Sequence, residues 1–443
     1  MKRLVGALLF CFMVSLLSAP TVWGAGFLDL EQGTKARGMA GAFTATADDP
    51  SAIFHNVAGI TQLPGTQLSI GNTLVRNDQK YSVPRELTLG PDFTEEMQSR
   101  TYILPHLYLT HRINDKVTFG FGFNTPFGIG TNWSDRSVGN AVADEAHLKT
   151  YDFNPNLAFK IDPKLSLAIG FHYVRAKAQI IRRVGLPGFT PVQSYELNAL
   201  IPPPTGTGLG TEQAGRFKLD ARGGTFAVNF GLLYKVNEFW NLGFSYRSDS
   251  NIDVSRSEAT VDFAPNPLRG LPVGKERTYA KTKLGLPGIF LAGIATTMFD
   301  RWTWEFDVQY TTWNDFDDIE INLKPGLTTL GGVTDLTLEE DWTNGWGFHL
   351  GTEYRYTDNF AVRAGYFYDT KAVPDETLGP ILPDSDRHNF SLGCGYTKGH
   401  WTLDMAYMFS NFENRSTEKN DQDFNASYKT NFHLLGMTVT RRF

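Results

Sequence analysis

"RWTWEFDVQY", residues 301–310, places Trp302, Trp304, Phe306, Val308 and Tyr310 on one side of an extended strand and Thr303, Glu305, Asp307 and Gln309 on the other. Successive side chains of a strand point to opposite faces, so one face is apolar and the other polar. In a soluble sheet the apolar face packs inward and the charged face meets water; in a membrane barrel the assignment is reversed. The stretch alone fits both, and the rest of the chain decides.

Residues 1–24 read as a secretory signal peptide: basic Lys2 and Arg3, an apolar run from Leu4 to Leu17, and small residues before a cut placed after Gly24. The run is short for a spanning helix, which needs about 20 residues. Past Ala25 no uninterrupted apolar segment of that length follows, and the most apolar window, 284–295, is broken by glycines and Pro287, so a helical membrane protein is excluded. Cys11 leaves with the signal peptide, so Cys394 is alone and no intrachain disulfide is expected. Losing Lys2 and Arg3 from 41 basic residues leaves 39 against 47 acidic, a net charge of −8 that argues against nucleic acid as a partner.

Alternation of the opening kind recurs along the chain. Val117, Phe119, Phe121 and Phe123 alternate with polar or small residues, as do Leu165 to Tyr173, Trp240 to Tyr246, Phe360 to Tyr368 and Trp401 to Phe409. Tight joints such as Asn114-Asp115, Asp162-Pro163 and Lys398-Gly399 alternate strictly with long polar connections at roughly 76–102, 125–150, 180–222, 252–287, 313–343, 370–386 and 411–427. Between them lie fourteen strands: 66–75, 103–113, 116–124, 151–161, 164–179, 223–236, 239–251, 288–298, 302–312, 344–356, 359–369, 387–397, 400–410 and 428–443. The pattern predicts an all-β fold, a 14-stranded antiparallel transmembrane β-barrel. Closure is required because lipid cannot satisfy an open sheet edge. Trp302, Phe306 and Val308 are then expected to face lipid, and Glu305 and Asp307 the lumen. The terminal Phe443, on a face with Leu435, Met437 and Val439, resembles the signal by which the barrel-assembly machinery recognises its clients.

Fourteen strands enclose a bore too wide for side chains alone to fill. Residues 25–65 supply a candidate plug, rich in Ala and Gly, with helical spacing over 31–47 and the breaker Asp48-Asp49-Pro50. The expected organisation is 1–24 signal peptide, 25–65 hatch and 66–443 barrel.

At this point the residues carry a resemblance. Ala25-Gly26-Phe27, Gly38 to Phe43, Ala47-Asp48-Asp49 and His55-Asn56-Val57-Ala58-Gly59 resemble the N-terminal hatch of the FadL family of outer-membrane long-chain fatty-acid and hydrocarbon transporters. The likeness continues through "NTPFGIGTNW" (124–133), "LPGIFLAGIA" (286–295), "DRWTWEFDVQYTTW" (300–313), "VRAGYFYDTKAVPDE" (362–376) and "LPDSDRHNFSLGCGY" (382–396). Val57 departs from it, standing where the family's hatch has proline, which loses a fixed φ and restores an amide donor.

The resemblance implies passive capture and lateral release of a hydrophobic molecule in the outer membrane of a Gram-negative bacterium, with no cofactor or metal and no enzymatic activity. Entry is expected at Leu186, Phe189, Leu197, Leu200 and Ile201 on one long loop and Phe263, Leu268 and Leu271 on another. Phe27, Leu28 and Leu30, with the hatch residues Asn56, Val57 and Ala58, would line or gate an internal pocket. Release is expected at a kink in strand three, where Gly120, Gly122, Asn124, Pro126 and Gly128 crowd together and Pro126 cannot donate to the ladder. Arg175 and Lys177 resemble a basic stretch near the ligand's head group; the alternative is an interfacial pair on lipopolysaccharide phosphates. The acidic "WNDFDDIE" (313–320) keeps open a neutral ligand such as an alkane or alkylbenzene in place of a long-chain fatty acid. A general porin and an outer-membrane lipid hydrolase are the rival classes, and the sequence contains no H-E-x-x-H, G-x-S-x-G or P-loop motif for the latter. The barrel is expected to work as a monomer among outer-membrane lipid.

Overall fold

The computed structural model describes residues 26–28, 32–84, 93–134, 142, 144–184, 215–263, 274–316, 318–327, 333–422 and 424–443. Fourteen antiparallel strands, several in two segments, form one closed sheet: β1 Thr66–Val83, β2 Phe93–Glu96 and Thr101–Arg112, β3 Val117–Asn124 and Gly128–Asn132, β4 Glu145–Lys160, β5 Leu165–Val184, β6 Gly215–Lys235 and β7 Trp240–Arg247 and Ser250–Phe263. They continue with β8 Gly274–Leu286 and Ile289–Thr296, β9 Trp302–Thr311 and Asp318–Leu327, β10 Val333–Glu339 and Gly345–Thr357, β11 Phe360–Asp369, β12 Arg387–Lys398, β13 Trp401–Phe412 and Arg415–Ser416, and β14 Ser427–Arg442. Closure comes from β1 and β14, which pair from Gln67↔Arg442 to Ser82↔Ser427.

The strands overrun their expected ends on the long-loop side. β5 reaches Val184 where alternation stops near 179, and β9 resumes over Asp318–Leu327 inside what reads as a loop. Above the membrane neither face meets hydrocarbon, so the ladder persists while the apolar alternation that marks it in the sequence does not.

Trp302, Trp304 and Phe306 face outward, with Phe306 43% exposed, while Glu305 and Asp307 are buried in the bore. The apolar side of the opening stretch is therefore the outer wall. Among the described residues, no helix is long and apolar enough to cross a membrane, and the chain crosses on strands.

Inside the bore lies the segment 32–63, with helices α1 Thr34–Gly38 and α2 Ala52–His55 and a 3-10 turn, Val57–Gln62. Its contacts are with lumen-facing side chains around the barrel. Asp307 Oδ2 accepts the amides of Phe43 and Thr44, and Glu305 those of Ala45 and Thr46, so two carboxylates occupy a nest of four consecutive N–H groups. Ser391 donates to Gly38 O at 3.1 Å, and His349 Nδ1 lies 2.7 Å from Ala40 O. Asn56 caps the 3-10 turn by accepting from Ala58 N and donates to Thr44 O and Leu232 O. Val57 occupies the first position of that turn, where an amide has no intrahelical partner, so the N–H that valine restores there gains no bond within the turn.

Glycines on the inner face make room for this segment. A Cβ on Gly365 would lie 2.4 Å from Met39 C, and one on Gly243 would meet the Thr44 carbonyl at 2.1 Å. Gly120 and Gly122 belong to the same set, since their Cβ atoms would meet Ile60 and Ile53 at 2.9 and 2.7 Å. This corrects their expected role. Both lie in regular strand, paired with Thr110 and Tyr108 of β2 and with Asn156 and Asn154 of β4, and they make room for the segment in the bore and lie below the bend.

A candidate ligand path through the barrel wall

The wall is interrupted at β3. Its first segment pairs with β2 only from Arg112↔Thr118 to Leu107↔Phe123, after which Thr125, Pro126 and Phe127 leave the ladder. Three residues of β3 then stand against two of β4, between Asn124↔Asp152 and Gly128↔Lys149, a bulge that bends the strand. The second segment pairs only with β4, whereas Thr101–His106 of β2 pairs only with β1. The bend is inward. Gly130 O is reached by the side chains of buried Asn77 at 3.4 Å and Tyr102 at 3.3 Å, residues that point into the bore. A gap therefore separates β2 and β3 above Leu107 and Phe123, closed again at the top where Gln98 N donates to Asn132 O at 3.0 Å.

Thr150 of β4 repairs the broken ladder: its hydroxyl accepts from Phe127 N and donates to Phe127 O, while its own amide donates to the same carbonyl. The N-terminal segment docks on the bend, with Leu28 bridging Phe127 and Gly128 N donating to Phe27 O at 2.9 Å. The Phe27 ring fills an aromatic cage. Phe127, Trp313, Phe316 and Trp342 lie 6.0, 4.9, 5.3 and 5.6 Å from it, centroid to centroid. Trp313 and Phe316 enter the bore because β9 is interrupted between Thr311 and Asp318 by a short 3-10 turn, Trp313–Asp315.

Beyond the cage opens a mostly apolar cavity of about 100 Å³, smaller than the usual range for small-molecule sites and open toward the long-loop side. Ile129 of the bent β3, Leu148 of β4, Ile180 of β5, Phe316, Leu338 and Trp342 contribute to its lining, so it abuts both the cage and the gap. Its one acidic side chain among the described residues is Glu340, which accepts from Trp342 Nε1 at 3.0 Å and is pushed up to about 7 by burial, with Trp342 opposing.

At the short-turn end a second cavity is lined by charge instead, including Lys35, Asp49, Arg355 and Asp404. Lys35 pairs with Asp48 at 2.7 Å and Glu353 at 3.4 Å, and Arg363 bridges Glu353 and Asp404 at 2.6 and 2.7 Å. A hydrophobic molecule gains nothing there and would have to displace paired charges.

The other expected residues are placed as follows. Phe27, Leu28, Asn56, Val57 and Ala58 are all buried in the bore. Leu30, Leu186, Phe189, Leu197, Leu200, Ile201, Leu268 and Leu271 lie outside the described residues, and Phe263 ends the second segment of β7. Arg175 and Lys177 point away from the bore. They share the outer face of β5 with Phe171 and Tyr173, and both are exposed. The cation that "YVRAKAQIIRR" sends inward is Arg182, in register with buried Phe217 and with its guanidinium 5.8 Å from that ring. It stands two residues beyond Ile180 of the cavity, about 7 Å along the strand. The cage residues Trp313 and Trp342 and the acid Glu340 were not anticipated either.

A closed membrane barrel, a bore occupied by its own N-terminal segment, and a breach in the wall beside an apolar cavity together describe a transport channel for hydrophobic molecules, not an open pore. The family model of the outer membrane protein transport proteins (OMPP1/FadL/TodX) matches residues 15–443, and the chain belongs to this family of outer-membrane transport channels, which are not enzymes. The long-chain fatty acid transport protein of Escherichia coli O6:H1 (strain CFT073) is 27% identical over 396 residues, 86% of this chain and 85% of that protein. Outer membrane protein P1 of Haemophilus influenzae is 24% identical over 438 residues, 92% and 90% of the two chains. Among solved structures, a Pseudomonas aeruginosa FadL homologue matches with a TM-score of 0.77 at 19% identity, covering 94% of this chain and all of that one. The Pseudomonas putida toluene transporter TodX matches with a TM-score of 0.73 at 17% identity, covering 94% and 99%. These two likenesses speak to the fold.

Proposed function

We propose that this outer-membrane channel takes up long-chain fatty acids passively, holds them in the apolar cavity behind the Phe27 cage, and releases them sideways through the gap between β2 and β3. The observation that carries this reading is the contact between cavity and gap through Ile129. Each buried CH₂ favours the cavity over water by about 0.8 kcal/mol, so the alkyl segment that enters it does so without an energy source. The membrane core beyond the gap is equally apolar, so leaving sideways costs little, whereas leaving through the charged cavity at the short-turn end would forfeit that gain. Arg182 supports a carboxylate head group, since it faces the bore one step beyond the cavity and has no carboxylate in ion-pair distance among the described residues. The name of the Escherichia coli relative points the same way.

Uptake of labelled oleate by cells lacking their own fatty-acid channel tests the reading. Deleting Pro126 removes the extra residue of the bulge and is expected to restore pairing between β2 and β3, abolishing uptake in a barrel that still folds. Undiminished uptake by that variant would contradict sideways release.

Glu340 favours a second reading, a neutral hydrocarbon, because an ionised carboxyl in the cavity repels an anionic ligand. Arg182→Gln separates the two: it should weaken oleate binding and leave toluene or hexadecane binding unchanged if fatty acids are the ligands.

A further inference from the structure

The outer face of β4, β5 and β6 carries a row of cations. Lys149, Lys177 and Arg222 stand directly opposite one another across the three strands, as Lys149↔Lys177 and Lys177↔Arg222, and Arg175 lies one row nearer the membrane centre, opposite Tyr151. All four side chains are on the outer face, and Lys177, Arg222 and Arg175 are exposed. The next row inward is aromatic: Phe153 lies 6.4 Å from Tyr173, which lies 5.1 Å from Phe226, all three exposed on the same wall. Aromatic rows of this kind mark the membrane interface. The cations thus sit at head-group level on the long-loop side.

Like charges directly opposite on neighbouring strands destabilise a sheet, so such a row calls for a counter-ion. Among the described residues, none is in contact with it. Asp220, the nearest acid above Arg222, is engaged by Lys218 at 2.8 Å and Gln179 at 2.6 Å, and Glu145 by His147 at 2.6 Å and Arg100 at 3.6 Å. On the outer face of β7 and β8, by contrast, cations meet acids: Arg277 pairs with Glu258 at 3.6 Å, and Lys283 stands opposite Asp253. Among the described residues, none of Lys149, Lys177, Arg175 or Arg222 has a carboxylate within ion-pair distance.

We infer that this row is a binding site for the phosphates of an outer-leaflet glycolipid, lipopolysaccharide in a Gram-negative outer membrane, with its acyl chains laid over Phe153, Tyr173 and Phe226. The site adjoins the uptake path, since Lys149 is also the register partner of Gly128 in the bent β3. A phosphorylated lipid held there would flank the gap with a fixed neighbour and offset the repulsion within the row.

The test is a titration of the detergent-solubilised protein, followed by native mass spectrometry, with rough lipopolysaccharide, its enzymatically dephosphorylated form and inorganic phosphate as probes. The variants are Lys149→Gln/Lys177→Gln/Arg222→Gln and, as a control, Lys281→Gln/Lys283→Gln. Removing three interfacial cations should weaken lipopolysaccharide binding on the order of 100-fold. The dephosphorylated lipid should bind the natural protein as weakly as the intact lipid binds the triple variant, and the control pair should change nothing. Equal binding of intact and dephosphorylated lipid would overturn the site, and this arm does not depend on any variant folding. Displacement of the lipid by millimolar inorganic phosphate would show a free-anion site and overturn the glycolipid assignment.

Discussion

Asp307 Oδ2 accepts the amide of Thr44 at 2.9 Å, joining the charged face of a wall strand to the backbone of the segment that fills the bore. With the bonds to Phe43, Ala45 and Thr46, it explains why "RWTWEFDVQY" alternates grease with acid: one face meets lipid and the other holds the hatch.

Removing that attachment should loosen the hatch without unmaking the barrel. Hydrogen bonds to charged groups contribute about 1.5–3 kcal/mol each, and Glu305→Ala/Asp307→Ala deletes four. The double variant is expected to remain heat-modifiable on gels, as a folded barrel is, and to show raised, fluctuating ion conductance in planar bilayers where the natural protein shows little.

Gly122 is a packing glycine, and its replacement should act through Ile53. In Gly122→Val the new Cβ falls 2.7 Å from Ile53 Cγ2, and overpacking of this kind costs about 1–3 kcal/mol. Thermal unfolding should show that loss, and Ile53→Ala in the same chain should recover part of it. A role in strand flexibility would give no such rescue.

Glu340 gives the cavity a pH dependence. Its carboxyl titrates at about 7 in the folded protein, raised above its unfolded value by burial, so the folded state holds an extra proton between the two values. The cavity is least charged below about pH 7, and the stability that this proton brings is lost as pH rises through 7. Oleate affinity, measured by tryptophan quenching between pH 6 and 8.5, should fall with rising pH, and Glu340→Gln should flatten the curve.

The barrel was legible because one physical rule, alternation, repeats at every strand, and the break at Pro126 was legible because proline cannot pair in a ladder. The orientation of Arg175 and Lys177 follows from the same rule and runs against the head-group expectation: counted from Tyr173, both fall on the lipid face and Arg182 falls inside. The Phe27 cage was not legible. Phe127, Trp313 and Trp342 are brought together only by barrel closure and by an inward turn in β9 that no local pattern announces. The inner glycines look like flexible strand positions in the sequence and prove to be clearance for a segment far away in the chain.

The most direct measurement of the account is where a fatty acid in transit touches the protein. A diazirine-bearing long-chain fatty acid, photolysed during uptake and mapped by peptide mass spectrometry, should label Ile129, the Thr125–Phe127 bend and the facing edge of β2 at Tyr102–Leu104. Labelling of Lys35, Glu353 and Asp404 at the short-turn end, with none at the gap, would contradict release through the wall.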